Sequence, residues 1–222
     1  VPVTAPANGT TFDGVMMLGT ANSGAFSRQA GEVNHPGILR FDTGASSASG
    51  YAAMSENYDT SNALNGIQFG AGAWIFSTQM RVTTLSDGTN RFTSYNGFVD
   101  NQAQLASSPG PHSGCYLRYV DNQNSGKWQG VCRNGDNETG STCDIGVTVA
   151  TATWYLLKIA VNAAGTQATF VVNDTNTCSV STNIPSTNRV AFSLDLLKSV
   201  GTASRTVDYD FIETLGLGLQ RN

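Results

Sequence analysis

The sequence predicts an all-β chain, folded as one antiparallel two-sheet β-sandwich of jelly-roll type. Three observations carry that expectation. Apolar residues make up 40% of the 222 residues and charged residues only 13%, so the polar quota falls to Ser, Thr, Asn and 24 Gly. Such a mixture suits short strands joined by turns, because Thr and aromatics fit a pleated surface while Gly, Asn and Asp take turn dihedrals. Helix formers are scarce, with Lys127, Lys158 and Lys198 the only lysines. Finally, turn signals recur about every 8–14 residues and no helical period is sustained between them.

Taken in order, residues 1–30 are small and polar around the run Val15-Met16-Met17-Leu18. They read as an arm or first strand that contacts a partner, with residues 31–222 as the jelly-roll domain. A strand is expected at "ILRF", ending in Asp42-Thr43-Gly44. "AWIFSTQMRVTTL" runs into the turn "SDGTN" and restarts as "RFTSYNGFV". "CYLRYVD" and "KWQGVC" flank the turn-rich "NQNSG", whose midpoint sets Cys115 opposite Cys132. Cross-strand partners lie about 4.5–5.5 Å apart, within disulfide range. "TWYLLKIAV" and "QATFVV" form a hairpin around "NAAGT". "RVAFSLDLL" and "RTVDYDFIETL" close the chain.

Charge and cysteine usage exclude some functions. A net charge of −4 and a pI near 5.0 argue against nucleic acid, which calls for a basic face. No apolar run approaches the roughly 20 residues that span a bilayer. Neither a leader nor an initiator Met opens the sequence, so a processed, trimmed or partial chain is expected. The four cysteines include no C-x-x-C pair, which makes zinc a poor reading. A Cys115–Cys132 bond with Cys143–Cys178 as the second pair fits an extracellular or particle-bound protein. No cofactor is expected; Asp/Asn-rich turns admit calcium, but no D-x-D-x-D-G string marks a site.

Several strings carry chemistry in other proteins. Asp42-Thr43-Gly44 after an apolar run resembles the catalytic loop of aspartic proteases, which need two carboxylates sharing a proton. The triplet occurs once, so the plainer expectation is a turn whose Asp side chain accepts backbone N–H bonds. On the last strand, Val207, Tyr209 and Phe211 should point one way and Asp208 and Asp210 the other. A bulge after Asp210 would add Glu213 to the acidic face. That face would resemble the Glu-x-Asp-x-x-Glu strand of laminarinase-type retaining glycosidases, although here the first position is Asp and the strand is the last. Asp208, Asp210 and Glu213 are the catalytic candidates if the chain is an enzyme. His35 and His112 read as loop residues. His112 with Tyr116, Arg118 and Gln129 also matches the residue types of jelly-roll polysaccharide lyases.

In the 115–132 hairpin, Cys115, Leu117, Tyr119, Trp128 and Cys132 should face inward. Tyr116, Arg118, Val120, Lys127, Gln129, Val131 and Arg133 should face outward. An aromatic ring beside planar donors suits a sugar, so Tyr116, Arg118 and Gln129, with Tyr95 as neighbour, are the glycan-binding candidates.

Five segments in order resemble a concanavalin-like jelly-roll domain of bacteriophage structural proteins. They are "GEVNHPGILRFDTGASSASGYAAM", "MRVTTLSDGTNRFTSYNGFVDN", "SGKWQGVCRNG", "TWYLLKIAVNAAGTQATFVVND" and "NIPSTNRVAFSLDLLKSVGTASRTVDYDFIETL". The resemblance implies a virion component, such as a tail or head fibre or a capsid decoration protein, that binds surface glycans. Its partners would be other virion proteins through the N-terminal arm, host-surface polysaccharide and other copies of itself. A secreted glycosidase or lyase, and a free lectin-like module, are the alternatives on the same scaffold.

Overall fold

Period-2 alternation of apolar and polar residues builds the strands of this computed structural model, which describes residues 11–12, 16–46, 50–56, 66–100 and 110–218. Among these residues the strands are β1 Thr11–Phe12, β2 Met16–Ala21, β3 Ala25–Arg28, β4 Leu39–Asp42 and β5 Tyr51–Glu56. They continue as β6 Ala73–Val82, β7 Phe92–Val99, β8 Gly114–Tyr119, β9 Lys127–Arg133 and β10 Thr142–Thr148. The last five are β11 Trp154–Val161, β12 Ala168–Val172, β13 Asn176–Val180, β14 Ala191–Lys198 and β15 Thr206–Leu217. One sheet has the order β1-β2-β5-β14-β7-β8-β9-β10 and the other β13-β12-β11-β6-β15-β4-β3. The pairings are antiparallel. This is the expected two-sheet β-sandwich.

The core lies between the inner faces. In β11, Tyr155, Leu157, Ile159 and Val161 point inward, and in β12 Ala168, Phe170 and Val172 do the same. They meet Leu117, Trp128 and Leu194 from the larger sheet. Each large side chain buried in this way contributes about 1.5–3 kcal/mol. At Gly130 a Cβ would stand 2.4 Å from the Phe170 ring, so only glycine lets β9 approach this close.

Local sequence signals are realised as expected in several places. Cys115 pairs with Cys132 in register and the two are bonded, while Cys143–Cys178 joins β10 of one sheet to β13 of the other. Asp42 accepts a 2.6 Å bond from the Gly44 amide, which identifies Asp-Thr-Gly as a turn. Buried Lys198 closes that turn by donating to the Gly44 and Ser46 carbonyls, and burial pushes its pKa down. Of the stretch 1–30, read as an arm or first strand, residues 11–12, 16–21 and 25–28 lie in the sheets as β1, β2 and β3. Residues 1–10 and 13–15 lie outside the described residues.

The last strand corrects one expectation and meets another. The β6–β15 register shifts between Tyr209 and Ile212. Val207 and Tyr209 face the core, as expected, but Phe211 turns outward and is 38% exposed, and Ile212 packs inward instead. The extra residue carries Glu213 to the outer face with Asp208, which is the geometry a bulge after Asp210 implies.

Candidate functional site

On the outer face of the eight-stranded sheet, register aligns Asp195, Tyr95, Arg118, Gln129 and Asp144 in a row across β14, β7, β8, β9 and β10. Tyr116 and Val131 lie in the next row, and Arg133 stands opposite Gly114. Beyond Arg133 the chain reverses through Asn134-Gly135-Asp136-Asn137. Gly135 and Asp136 have φ of +59° and +67°, the two positive values of a type I′ turn. Gly is favoured at the first of these positions and Asp tolerated at the second. The reversal brings Asp136 and Glu138 to the guanidiniums on this face.

A polar network follows. Glu138 accepts bonds from the Tyr116 hydroxyl at 3.0 Å and from Arg118 Nη1 at 2.9 and 3.1 Å. Arg118 also donates from Nη2 to Gln129 Oε1 at 2.7 Å. Arg133 Nη2 donates to Asp136 at 2.9 Å, and Nη1 lies 4.0 Å from Glu138. Asp136 stands 3.4 Å from His112 Nε2, whose Nδ1 faces Asp100 at 3.3 Å. The chain of contacts thus runs from His112 to Gln129.

Between this network and the loops at its edge lies a cleft of about 530 Å³. Its lining includes Arg91, Tyr95, Arg118, Arg133, Glu138 and Val200. Arg91 is held by Asp121 at 2.9 and 3.0 Å. Burial raises the Asp121 pKa, but hydrogen bonds from Arg91 and Ser86 outweigh it and hold the carboxyl below its ordinary value. Arg133 is 8% exposed, and its Nε has no hydrogen-bond partner among the described residues.

The four glycan-face candidates therefore converge, but on unequal terms. Tyr95 and Arg118 line the cleft. Gln129 stands behind Arg118 as its acceptor. Tyr116 is fully buried under Glu138, and burial pushes its hydroxyl pKa well above the usual value, so its ring is no platform for a sugar. Arg91, Asp136, Glu138 and Val200 are additional members that strand alternation could not reveal. The Asn-Gly-Asp-Asn string is the one local signal that could have placed the acids over the face.

The other carboxylate cluster is occupied. Asp208 is fully buried on the outer face of the seven-stranded sheet, bonded by Arg40 at 2.7 and 3.0 Å and by Arg81 at 2.7 and 3.1 Å. Asp210 accepts the Gly37 amide at 3.3 Å and stands 3.1 Å from His35 Nδ1. Glu213 is exposed. Asp208 is thus a structural ion pair rather than an accessible nucleophile. Among the described residues, no group of three His, Cys, Asp or Glu is placed to hold a metal, and no helix is long and apolar enough to cross a membrane.

Two stacked antiparallel sheets make this chain a jelly-roll β-sandwich, the fold of the concanavalin-like structures it resembles. The chain belongs to the SO2946-like, C-terminal domain family, which matches residues 34–210. A similar solved structure is the protein of unknown function SO2946 from Shewanella oneidensis MR-1. It has a TM-score of 0.61 and 14% identity, covering 96% of this chain and 84% of that one. The Emp47p carbohydrate recognition domain is similar at a TM-score of 0.55 and 12% identity, covering 89% and 90%. A family 7 alginate lyase, A1-II′, is similar at 0.53 and 14%, covering 89% and 84%. None of the curated proteins matches the sequence.

Proposed function

We propose that this chain is a carbohydrate-binding domain that acts at an extracellular surface and holds a glycan in the cleft over β7, β8 and β9. The observation that carries the reading is the cleft itself, a recess of about 530 Å³. Tyr95 is 3% exposed and forms part of the floor, while Arg118, Arg133 and Glu138 supply planar donors and acceptors of the kind that hydroxyl-rich ligands need. The jelly rolls of a carbohydrate recognition domain and a polysaccharide lyase share the fold, which is consistent with this use. Two disulfides suit an oxidising compartment.

Binding is better served than cleavage. A general base works best with a pKa near the operating pH, and the Tyr116 hydroxyl is shifted far from it. His112 is half exposed, between Asp100 and Asp136. The surface that displays the domain is, on the segment resemblance, a phage-like virion, with the N-terminal arm contacting its partner proteins. Co-sedimentation of the native chain with large particles checks that setting independently.

The test of glycan binding is affinity electrophoresis in gels containing alginate, polygalacturonate, xylan or dextran. Val200→Trp should fill the cleft from a partly exposed position. The wild-type chain is expected to be retarded by at least one polymer, without depolymerising it. The variant should run unretarded with an unchanged thermal midpoint. Equal retardation of both chains, or none by any polymer, would sink the proposal.

A further inference from the structure

We infer that the cleft selects a neutral, hydroxyl-rich sugar and disfavours an acidic one. This inference rests on the glycan-binding reading and names the ligand class. Its first support is the charge balance of the lining. Arg91, Arg118 and Arg133 line the cleft, and each is already met by a carboxylate, from Asp121, Glu138 and Asp136 in turn, at 2.9 Å. Three guanidiniums stand against three carboxylates, so the pairs carry no excess charge. Beyond them His112 lies between Asp136 and Asp100, which adds no positive excess in either state of the imidazole. A sugar carboxylate or sulfate would compete with an acid already in place and would bring a like charge up to it.

The second support is which partner of each pair reaches the solvent. The side chains of Arg118 and Arg133 are 8% and 9% exposed, while those of Glu138 and Asp136 are 28% and 49% exposed. Arg91 and Asp121 are exposed to similar extents. At two of the three pairs an incoming ligand therefore meets the carboxylate more readily than the guanidinium. A sugar hydroxyl donates to such an acceptor in a charge-assisted bond, whereas a uronate oxygen has no proton to offer. Asn122, Gln123 and Ser199, exposed in the same lining, add neutral amide and hydroxyl groups that both donate and accept.

The experiment measures binding of the intact chain by calorimetry to length-matched oligosaccharides of xylan and dextran, which are neutral, and of alginate and polygalacturonate, which are uronates. At low salt the better neutral oligomer should bind roughly fivefold more tightly than either uronate, the factor that one like charge at contact distance in water produces. Neutral affinity should be unchanged in about 0.5 M NaCl, while uronate binding should strengthen there as the repulsion is screened. Asp121→Asn takes the counter-charge from Arg91 and should raise uronate affinity by a similar factor at low salt. Should that variant fold poorly, the salt titration of the wild-type chain decides the matter. A uronate that binds as tightly as the better neutral oligomer, or that weakens with salt, would overturn the inference and leave the glycan site standing. Binding of none would overturn both.

Discussion

The two outer faces of the sandwich carry the same residue types in different states of completion. On the seven-stranded sheet, Asp208 receives four bonds from Arg40 and Arg81. Arg81 also bonds Glu32 at 2.8 and 3.1 Å and lies 4.7 Å above the Trp154 ring, on which His35 stacks at 4.0 Å. Donors, acceptors and the aromatic ring are all engaged there. On the eight-stranded sheet the network is just as dense, but it borders a cleft, and the buried Arg133 Nε has no hydrogen-bond partner among the described residues. Arginine–carboxylate pairs by themselves therefore do not mark a binding site. What sets the proposed site apart is the cleft beside its pairs.

The contrast can be broken by mutation. The largest effect is expected on the saturated face. Asp208→Asn removes the charge that two guanidiniums share and should cost about 3 kcal/mol in urea denaturation. Glycan retention of the folded protein should not change. A stability loss no greater than that of an ordinary surface variant would show that the solvent, reaching Arg40, already compensates the pair.

Replacing Arg133 on the open face should invert the pattern. Arg133→Met keeps much of the packing and leaves Asp136 and Glu138 within reach of water, with side chains 49% and 28% exposed. The expected cost in the same denaturation is about 1 kcal/mol, while retention is lost. A cost equal to that of Asp208→Asn would erase the distinction between the faces.

The smallest effect concerns pH. The Asp121 carboxyl is held below its ordinary 3.8 in the folded state. Its contribution is thus fully present above that value and is lost as pH falls through the lower folded pKa. Arg91→Met should weaken this dependence, leaving the Ser86 bond in place, and should lower Tm by less than about 2 °C near neutrality and by nothing in strong acid. A Tm difference that widens as pH falls would contradict the sign.

Legibility followed distance along the chain. The Cys115–Cys132 register, the Asp42 turn and the 153–172 hairpin were readable because each depends on a single turn and its flanking alternation. The β15 bulge was readable only as an option, because the choice between Phe211 and Ile212 as core residue depends on the partner strand β6. The Cys143–Cys178 bond joins strands of different sheets, so its geometry depends on how the sheets stack.

By itself the sequence determined the class of fold, the strand faces and the local cross-link, because side-chain period and turn chemistry are properties of a few adjacent residues. It assigned Tyr116, Arg118, Gln129 and Arg133 to one outward face, and they share it. Only the tertiary structure decided that this face is buried in part, that Glu138 covers Tyr116, and that a cleft opens beside Arg133. Alternation specifies which side of a sheet a residue occupies. What lies above that side is set by loops, such as 134–138, whose direction follows from how they pack and hydrogen-bond against the assembled sheet.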